Sequence, residues 1–154
     1  MKKINYKILI VSLLLVFSIA FIGSLFTSSN TNSDWYLNNK PSITPPNYIF
    51  PIVWNILFFL IAISIYLAWA NSNKEQKPKI VIIFGVNLTL NVLWSFLFFR
   101  LQNPSLAFIC LIAIWITIFG MIFTTWEIDK KASYLLIPYL AWVSFAGVLN
   151  WFWL

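Results

Sequence analysis

The chain has 154 residues, of which 61% are hydrophobic and 9% are charged, and its mean hydropathy is +0.85. Soluble globular domains carry about a quarter charged residues, so this composition excludes a soluble fold. One cysteine and no histidine exclude a disulfide-stapled scaffold and a zinc site. The net charge of +6 is spread over the tail and the connections, which argues against nucleic acid as a partner.

Five apolar stretches follow one another, and each is long enough to cross about 30 Å of hydrocarbon as a helix. Only helices satisfy the backbone polar groups of such segments in lipid. We predict an all-α integral membrane protein, a single five-helix bundle over residues 1–154 in a lipid bilayer. The predicted spans are approximately Ile8–Phe26, Tyr48–Ala70, Ile80–Phe99, Ser105–Trp126 and Ala132–Leu154.

The first stretch follows several lysines, as the apolar segment of a signal peptide does. Its apolar run exceeds the usual signal core, and no clean small-residue cleavage site ends it, so we expect a retained first helix. Basic residues also set the orientation, because basic loops stay cytoplasmic. With the amino terminus inside, the outer regions hold only Lys40 and Arg100, and the inner regions hold Lys2, Lys3, Lys7, Lys74, Lys77, Lys79, Lys130 and Lys131. This predicts a cytoplasmic amino terminus and an external carboxyl terminus, in a bacterial cell membrane rather than a mitochondrial outer membrane.

The first connection, Thr27–Asn47, is much longer than the other three and has the length of a binding loop or a lid. Its start is rich in Ser, Thr and Asn. Its second half contains Pro41, Pro45 and Pro46, which fix φ and favour a semi-rigid cap. An interfacial belt formed by Trp35 and its neighbour Tyr36 is an equally good interpretation of the same segment.

In the third span Asn87, Asn91, Trp94 and Phe98 are spaced by four, three and four residues, which places them on one face of a helix. Asparagine inside a membrane needs a partner, so this face must point to protein or to a cavity. A single asparagine would favour interhelical hydrogen bonding. Two of them beside aromatic residues favour a ligand wall.

The second and fifth spans also carry residues suited to a ligand wall. These are Trp54 and Phe58 on one, and Trp142, Phe145, Ala146 and Asn150 on the other. At 1.5 Å per residue, Trp54 would lie about 9 Å, Asn91 about 12 Å and Trp142 about 18 Å below the outer end, beneath the long loop. Such walls suit a large flat apolar molecule with a polar edge, such as a tetrapyrrole, a sterol or a drug-sized aromatic. The tryptophans at span ends, Trp69, Trp126, Trp151 and Trp153, are predicted interfacial anchors, and Trp115, in the middle of a span, is predicted to have a packing role.

Three segments together resemble the TspO/MBR family of tryptophan-rich sensory and translocator proteins. They read Trp35-Tyr36…Lys40-Pro41-x-x-x-Pro45-Pro46…Phe50-x-x-Val53-Trp54, then Asn91-x-x-Trp94-Ser95-x-x-Phe98-Phe99, then Pro138-Tyr139-Leu140-x-Trp142-Val143-x-Phe145-Ala146-x-x-Leu149-Asn150. The resemblance implies a five-helix bundle, commonly a homodimer, that binds porphyrins such as protoporphyrin IX beneath its first loop and requires no cofactor.

Carried over by position, the resemblance assigns the pocket wall to Trp54, Asn91, Trp94, Trp142, Phe145, Ala146 and Asn150, and the lid to Trp35, Pro45 and Pro46. It links Trp54 and Trp142 to porphyrin breakdown in bacterial members. The chain departs from the pattern at Ile43, where the lid usually has Trp, at Asn87, where Gln is frequent, and at Cys110, where an acid is frequent. The carboxyl end lacks a cholesterol-recognition motif, which weighs against sterol binding.

Three functions follow from these residues. A porphyrin-binding sensor or carrier is the principal prediction. A light-dependent porphyrin-degrading enzyme is the first alternative, with Trp54 and Trp142 as candidate reactive groups, since no acid–base pair supports hydrolysis. A small-molecule or sterol transporter is the second, although proton coupling would require a carboxylate inside the membrane, and Asp34, Glu75, Glu127 and Asp129 all lie in loops.

Overall fold

A computed structural model describes residues 4–154 and confirms an all-α bundle. Lys2 and Lys3 of the charge count lie outside the described residues. The helices are α1 (Tyr6–Ser28), α2 (Asp34–Asn39), α3 (Ile49–Asn71), α4 (Lys77–Ser95) with a π-helical turn (Phe96–Arg100), α5 (Pro104–Trp126), α6 (Lys130–Tyr134) and α7 (Ile137–Trp151). Five segments within the described range are long and apolar enough to cross a membrane, with α6 and α7 together forming the fifth.

The spans form a ring in the order α1, α3, α6–α7, α5, α4. The second span, α3, packs on α6 at one end of the bundle, whereas aromatic rings make the bridges between α3 and α7 toward the other end. A space bounded by α3, α4 and α7 is therefore left for side chains. The segment 29–48, called the lid below, connects α1 to α3 at this end.

The fifth span is not the continuous helix predicted over Ala132–Leu154. Pro138 has no N–H to donate to the carbonyl of Tyr134, and its ring would clash with that carbonyl, so α6 ends there and α7 begins at Ile137. The helix also stops at Trp151, and a turn in which the Trp153 N–H donates to the Asn150 carbonyl at 3.1 Å folds the carboxyl end back.

The lid also differs from prediction. The first helix continues to Ser28, and the Ser/Thr/Asn segment leads directly into α2. Ser33 caps α2 by accepting a hydrogen bond from the Tyr36 N–H at 3.3 Å, and Asp34 places a negative charge at its first turn. This cap makes a short helix, Asp34–Asn39, in a part of the loop for which no helix was predicted.

The end of the bundle opposite the lid is fastened by polar contacts. Ser64 donates to the Ala132 carbonyl at 2.9 Å, and the hydroxyls of Thr125 and Ser133 lie 2.8 Å apart. Cations also cover two of the predicted anchor tryptophans at this end, Lys77 over Trp69 at 5.1 Å and Lys130 over Trp126 at 5.2 Å. This end is the more firmly fixed one, which leaves the lid end as the side where helices can separate.

Candidate ligand-binding site

The asparagines of α4 belong to a hydrogen-bonded network in the membrane interior. The Asn87 amide donates to the Thr117 hydroxyl at 2.8 Å, and Asn91 donates to the Asn87 carbonyl at 3.1 Å and to the Tyr139 hydroxyl. That hydroxyl donates back to the Asn87 Oδ1 at 2.9 Å. The network joins α4, α5 and α7, and Asn87 is fully buried in it. Most of the polar capacity of this face is therefore used between helices.

Trp94 and Asn150 are joined in the same way nearer the lid. The Trp94 Nε1 donates to the Asn150 Oδ1 at 3.1 Å, and the Asn150 amide donates to the Pro104 carbonyl at 3.0 Å. Asn150 is 2% exposed, so both ends of its side chain are occupied by protein. Asn150 therefore links α4, α5 and α7, while the Trp94 ring stacks on Phe98 with centroids 5.1 Å apart.

Aromatic rings line the space between α3 and α7. Trp54 stacks on Phe58 with ring centroids 5.3 Å apart and meets the edge of Tyr139 at 6.2 Å. Trp142 contacts Phe145 at 5.5 Å and Phe50 at 6.0 Å. We call these rings, Phe50, Trp54, Phe58, Trp142 and Phe145, the aromatic wall. The wall is closed by ring contacts across the two helices, so a large ligand must push α3 and α7 apart.

Trp142 lies closer to the lid than its predicted depth of about 18 Å. It contacts Phe50, which belongs to the first turn of α3. The depth was overestimated because it was counted from Leu154, whereas α7 ends at Trp151. Ala146, one turn further along α7, is half-buried against the same core and leaves room beside Trp142.

A second aromatic group fastens the lid. Trp35 and Tyr36 of α2 pack against Trp153 at 4.8 and 5.6 Å, against Phe98 at 5.7 Å and against Phe99 at 5.8 Å. We call these five residues the lid anchor. Burial raises the pKa of the Tyr36 phenol from its ordinary value of 10.0. Trp35 and Tyr36 thus pack on other parts of the protein, which supports the lid interpretation.

The π-helical turn explains why two consecutive phenylalanines serve the lid anchor. In an α-helix neighbouring residues point in different directions, but here the Leu101 N–H donates to the Phe96 carbonyl five residues earlier at 3.0 Å. Phe98 and Phe99 are both buried as a result, at 4% and 6% exposure. Phe98 therefore lies within the lid anchor instead of continuing the open face that its spacing predicts.

The structure thus divides the predicted site residues among three groups. Trp54, Phe58, Trp142, Phe145 and Ala146 lie at the aromatic wall, Asn87 and Asn91 lie in the polar network, and Trp35, Phe98, Trp94 and Asn150 lie at or beside the lid anchor. Pro45 and Pro46 lie in the lid above. One predicted anchor tryptophan differs, since Trp153 packs on the lid. Trp115 packs on Phe119 at 4.6 Å and donates to Ser144, and it is 39% exposed on the outer surface.

Sequence reasoning missed three residues that shape the site. Tyr139 is fully buried at the crossing of the polar network and the aromatic wall, and a tyrosine within an apolar span was the available clue. Phe50 was a position of the family motif, but its place at a helix start gave no sign that it would contact Trp142. Trp153 joins the lid only through the turn that follows α7, which no periodicity reveals.

The outer surface carries two open clefts, one of about 530 Å³ along α1 and one of about 510 Å³ between α5 and α7. The second is lined by apolar side chains that include Leu111, Trp115 and Gly147. Both clefts are shallow and face outward. The rings of the aromatic wall are half-buried, and Trp54, Phe58 and Trp142 pack against the core of the bundle.

The fold and the position of this site define an integral membrane protein of five helices, with a candidate site in the bundle interior beneath a lid. The chain belongs to the TspO/MBR family, whose profile matches residues 11–154. It is 42% identical to the tryptophan-rich protein TspO of Archaeoglobus fulgidus over 95% of this chain and 94% of that one. It is 36% identical to the protein of the same name from Chlorobaculum tepidum, covering 88% and 87% of the two chains. It is 30% identical to the translocator protein of Bos taurus, covering 85% and 79%. The resemblance found in the sequence is confirmed.

Proposed function

We propose that this protein binds porphyrins and similar flat hydrophobic molecules between α3 and α7, beneath the lid, as a sensor or carrier. The observation that carries the proposal is that Trp54 of α3 and Trp142 of α7 each contact an aromatic ring of the other helix, at 6.2 and 6.0 Å. A flat ring system inserted there exchanges ring–ring contacts within the protein for contacts with both indoles. Aromatic pairs of this kind contribute about 0.5–1.5 kcal/mol each beyond the area they bury.

The chemistry of the surrounding residues supports an apolar ring rather than a charged head in the interior. The acidic residues of the described range, Asp34, Glu75, Glu127 and Asp129, all lie outside the membrane-spanning helices. The side-chain amides of Asn87 and Asn91 are hydrogen-bonded to one another and to Tyr139. Stacking and burial are the main attractions that remain at the wall, and both favour a large planar molecule.

The same arrangement assigns a role to each predicted residue. In this proposal Trp54, Phe58, Trp142, Phe145 and Ala146 contact the ligand, and Asn91 borders it. The remaining residues hold the lid closed or keep the helices in register; they are Trp35, Pro45, Pro46, Asn87, Trp94, Phe98 and Asn150.

A light-dependent porphyrin-degrading enzyme is the second candidate function. The contact of Trp54 with Tyr139 at 6.2 Å favours it, because two oxidisable side chains would adjoin a bound pigment that absorbs light. Transport coupled to protons is less well supported, since the described spans hold no carboxylate to carry the proton. A sterol remains a competing ligand of the same apolar space.

Orientation and assembly are parts of the proposal as well. We infer that the lid end faces the outside of a bacterial cell membrane, because Lys74, Lys77, Lys79, Lys130 and Lys131 gather at the opposite end. A homodimer follows from family membership alone. The orientation is tested by replacing Ser42 with cysteine and treating whole cells with a thiol reagent that cannot cross the membrane. Labelling in whole cells is expected, and labelling only after lysis would mean the opposite orientation.

The test of function is a titration of the detergent-solubilised protein with protoporphyrin IX in the dark, followed by illumination of the complex. Saturable binding with stable porphyrin bands identifies a sensor or carrier. Loss of the porphyrin bands that depends on the protein identifies the enzyme, provided that Trp54→Phe or Trp142→Phe abolishes this loss. The control Trp115→Phe, at an outward-facing residue, should still show it. The proposal is wrong if the protein does not bind the porphyrin saturably.

A further inference from the structure

Three buried polar atoms of the described residues have no hydrogen-bonding partner, and all three belong to the lid or to the aromatic wall. They are the Oγ1 of Thr44, the Oδ1 of Asn47 and the Nε1 of Trp142. Buried polar groups are nearly always paired, and an unpaired one costs stability. The deeper polar residues of this protein, such as Asn87 and Asn150, follow that rule. The exceptions therefore gather where the proposed ligand would enter.

The chain path brings the segment of Thr44 and Asn47 to the aromatic wall. Thr44 and Asn47 flank the two prolines of the lid, and Phe50, three residues after Asn47, contacts the ring of Trp142 at 6.0 Å. The prolines fix φ at two successive positions, which restricts the backbone between the two polar residues. Two of the unpaired atoms thus lie in the lid just before α3, and the third belongs to Trp142, which contacts the first turn of α3.

Resting on the proposed function, we propose that Thr44, Asn47 and the Trp142 N–H form a polar subsite that binds the carboxylate edge of the flat ligand. The indole Nε1–H can only donate, and a threonine hydroxyl can donate as well as accept. One hydrogen bond at 3.5 Å, from the Asn47 Nδ2 to the Thr31 carbonyl, sets the orientation of the Asn47 amide. That is a long bond, so the amide can turn over and present Nδ2 as a third donor.

A carboxylate is the ligand group that best matches three hydrogen-bond donors. Its two oxygens accept about four hydrogen bonds, whereas a single hydroxyl cannot serve three donors and an apolar edge serves none. Charge at the lid end favours an anion too, because Lys40 and Arg100 outnumber Asp34 among the described residues there. The subsite also lies at the rim, where a carboxylate remains near water and avoids the cost of deep burial.

This subsite fixes how the ligand lies. Its rings would point down between Trp54 and Trp142, and its carboxylates would point up to the underside of the lid. A free porphyrin acid should therefore bind more tightly than the same ring system with its acids esterified. Thr44 and Asn47 would determine that preference without contributing to the stacking that holds the ring.

The test compares the dissociation constants of protoporphyrin IX and its dimethyl ester in nanodiscs, in the dark. We expect the wild type to bind the diacid at least about tenfold more tightly than the ester. Thr44→Val, which keeps the side-chain shape, should weaken the diacid several-fold and leave the ester unchanged, and Thr44→Ser should restore the diacid. Trp142→Phe should also reduce the preference, while Ser42→Ala, an exposed hydroxyl of the same lid, should not.

An equal diacid-to-ester ratio in the wild type, Thr44→Val and Trp142→Phe overturns the subsite while leaving the proposed function intact. Loss of binding of both porphyrins by folded wild-type protein overturns the proposed function itself. A melting curve for each variant separates misfolding from loss of the subsite, and Asn47→Leu supplies an independent variant. If Asn47→Leu and Thr44→Val both keep the wild-type ratio, the two lid groups do not contact the ligand.

Discussion

Replacing Trp142 by alanine removes the largest ring on the α7 side of the aromatic wall. The indole contacts Phe145 at 5.5 Å and Phe50 at 6.0 Å, and a ligand between the helices would replace the second contact with its own face. Stacking on one aromatic ring contributes about 0.5–1.5 kcal/mol, to which the buried area of the indole adds. The variant should lose more than about 1.4 kcal/mol of binding free energy, which weakens porphyrin binding at least tenfold.

The assay should follow porphyrin absorbance, because removing a tryptophan changes the protein's own fluorescence. Trp115→Ala is the matched control, since Trp115 also has a ring contact, with Phe119 at 4.6 Å, but lies on the outer surface of α5. Its porphyrin affinity should remain within about twofold of the wild type. Equal affinities of Trp142→Ala and Trp115→Ala, both folded, would refute the assignment of the aromatic wall.

Three further predictions concern the network and the lid. Asn91→Leu leaves the Tyr139 hydroxyl without one of its partners and should lower the melting temperature by several degrees, since a hydrogen bond between membrane helices contributes about 0.6–2 kcal/mol. Asn55→Leu, at an exposed position, should leave the melting temperature unchanged. An equal effect of both variants would contradict the network. Trp153→Ala removes two ring contacts with the lid and one with Phe98, and it should speed porphyrin dissociation about tenfold or more in stopped-flow experiments. Trp151→Ala, at a residue that is 60% exposed, should not change the rate, so equal rates of the two variants would argue against the lid anchor. Because folding raises the pKa of Tyr36, its contribution to the stability of the closed lid is complete below pH 10 and should be lost as the pH rises further. Porphyrin dissociation should therefore speed up above pH 10 in the wild type but not in Tyr36→Phe. Identical pH profiles of the two proteins would disprove this role.

The architecture could be predicted from the sequence because hydropathy and length alone determine it. Each apolar stretch had only one structure available to it in lipid, and the described helix ends agree within a few residues except in the fifth span. That exception shows the limit of hydropathy. Pro138 interrupts the hydrogen bonds of the helix without interrupting its apolar character.

The site was predictable in composition but less so in geometry. The spacing of Asn87, Asn91 and Trp94 correctly placed them on an inward face, yet spacing cannot tell whether an amide meets a ligand or the Tyr139 hydroxyl of another helix. The π-helical turn has no composition of its own, so the inward turn of Phe99 next to Phe98 could not be foreseen. Contacts between distant segments, such as Trp153 with the lid, depend on the whole fold.

A structure of the protein with protoporphyrin IX bound, in nanodiscs and in the dark, tests the central claim most directly. The account predicts that the porphyrin ring lies between Trp54 and Trp142, with α3 and α7 moved apart and the lid closed above. A porphyrin seated instead in the outward cleft between α5 and α7, with the contact of Phe50 and Trp142 unchanged, would contradict it.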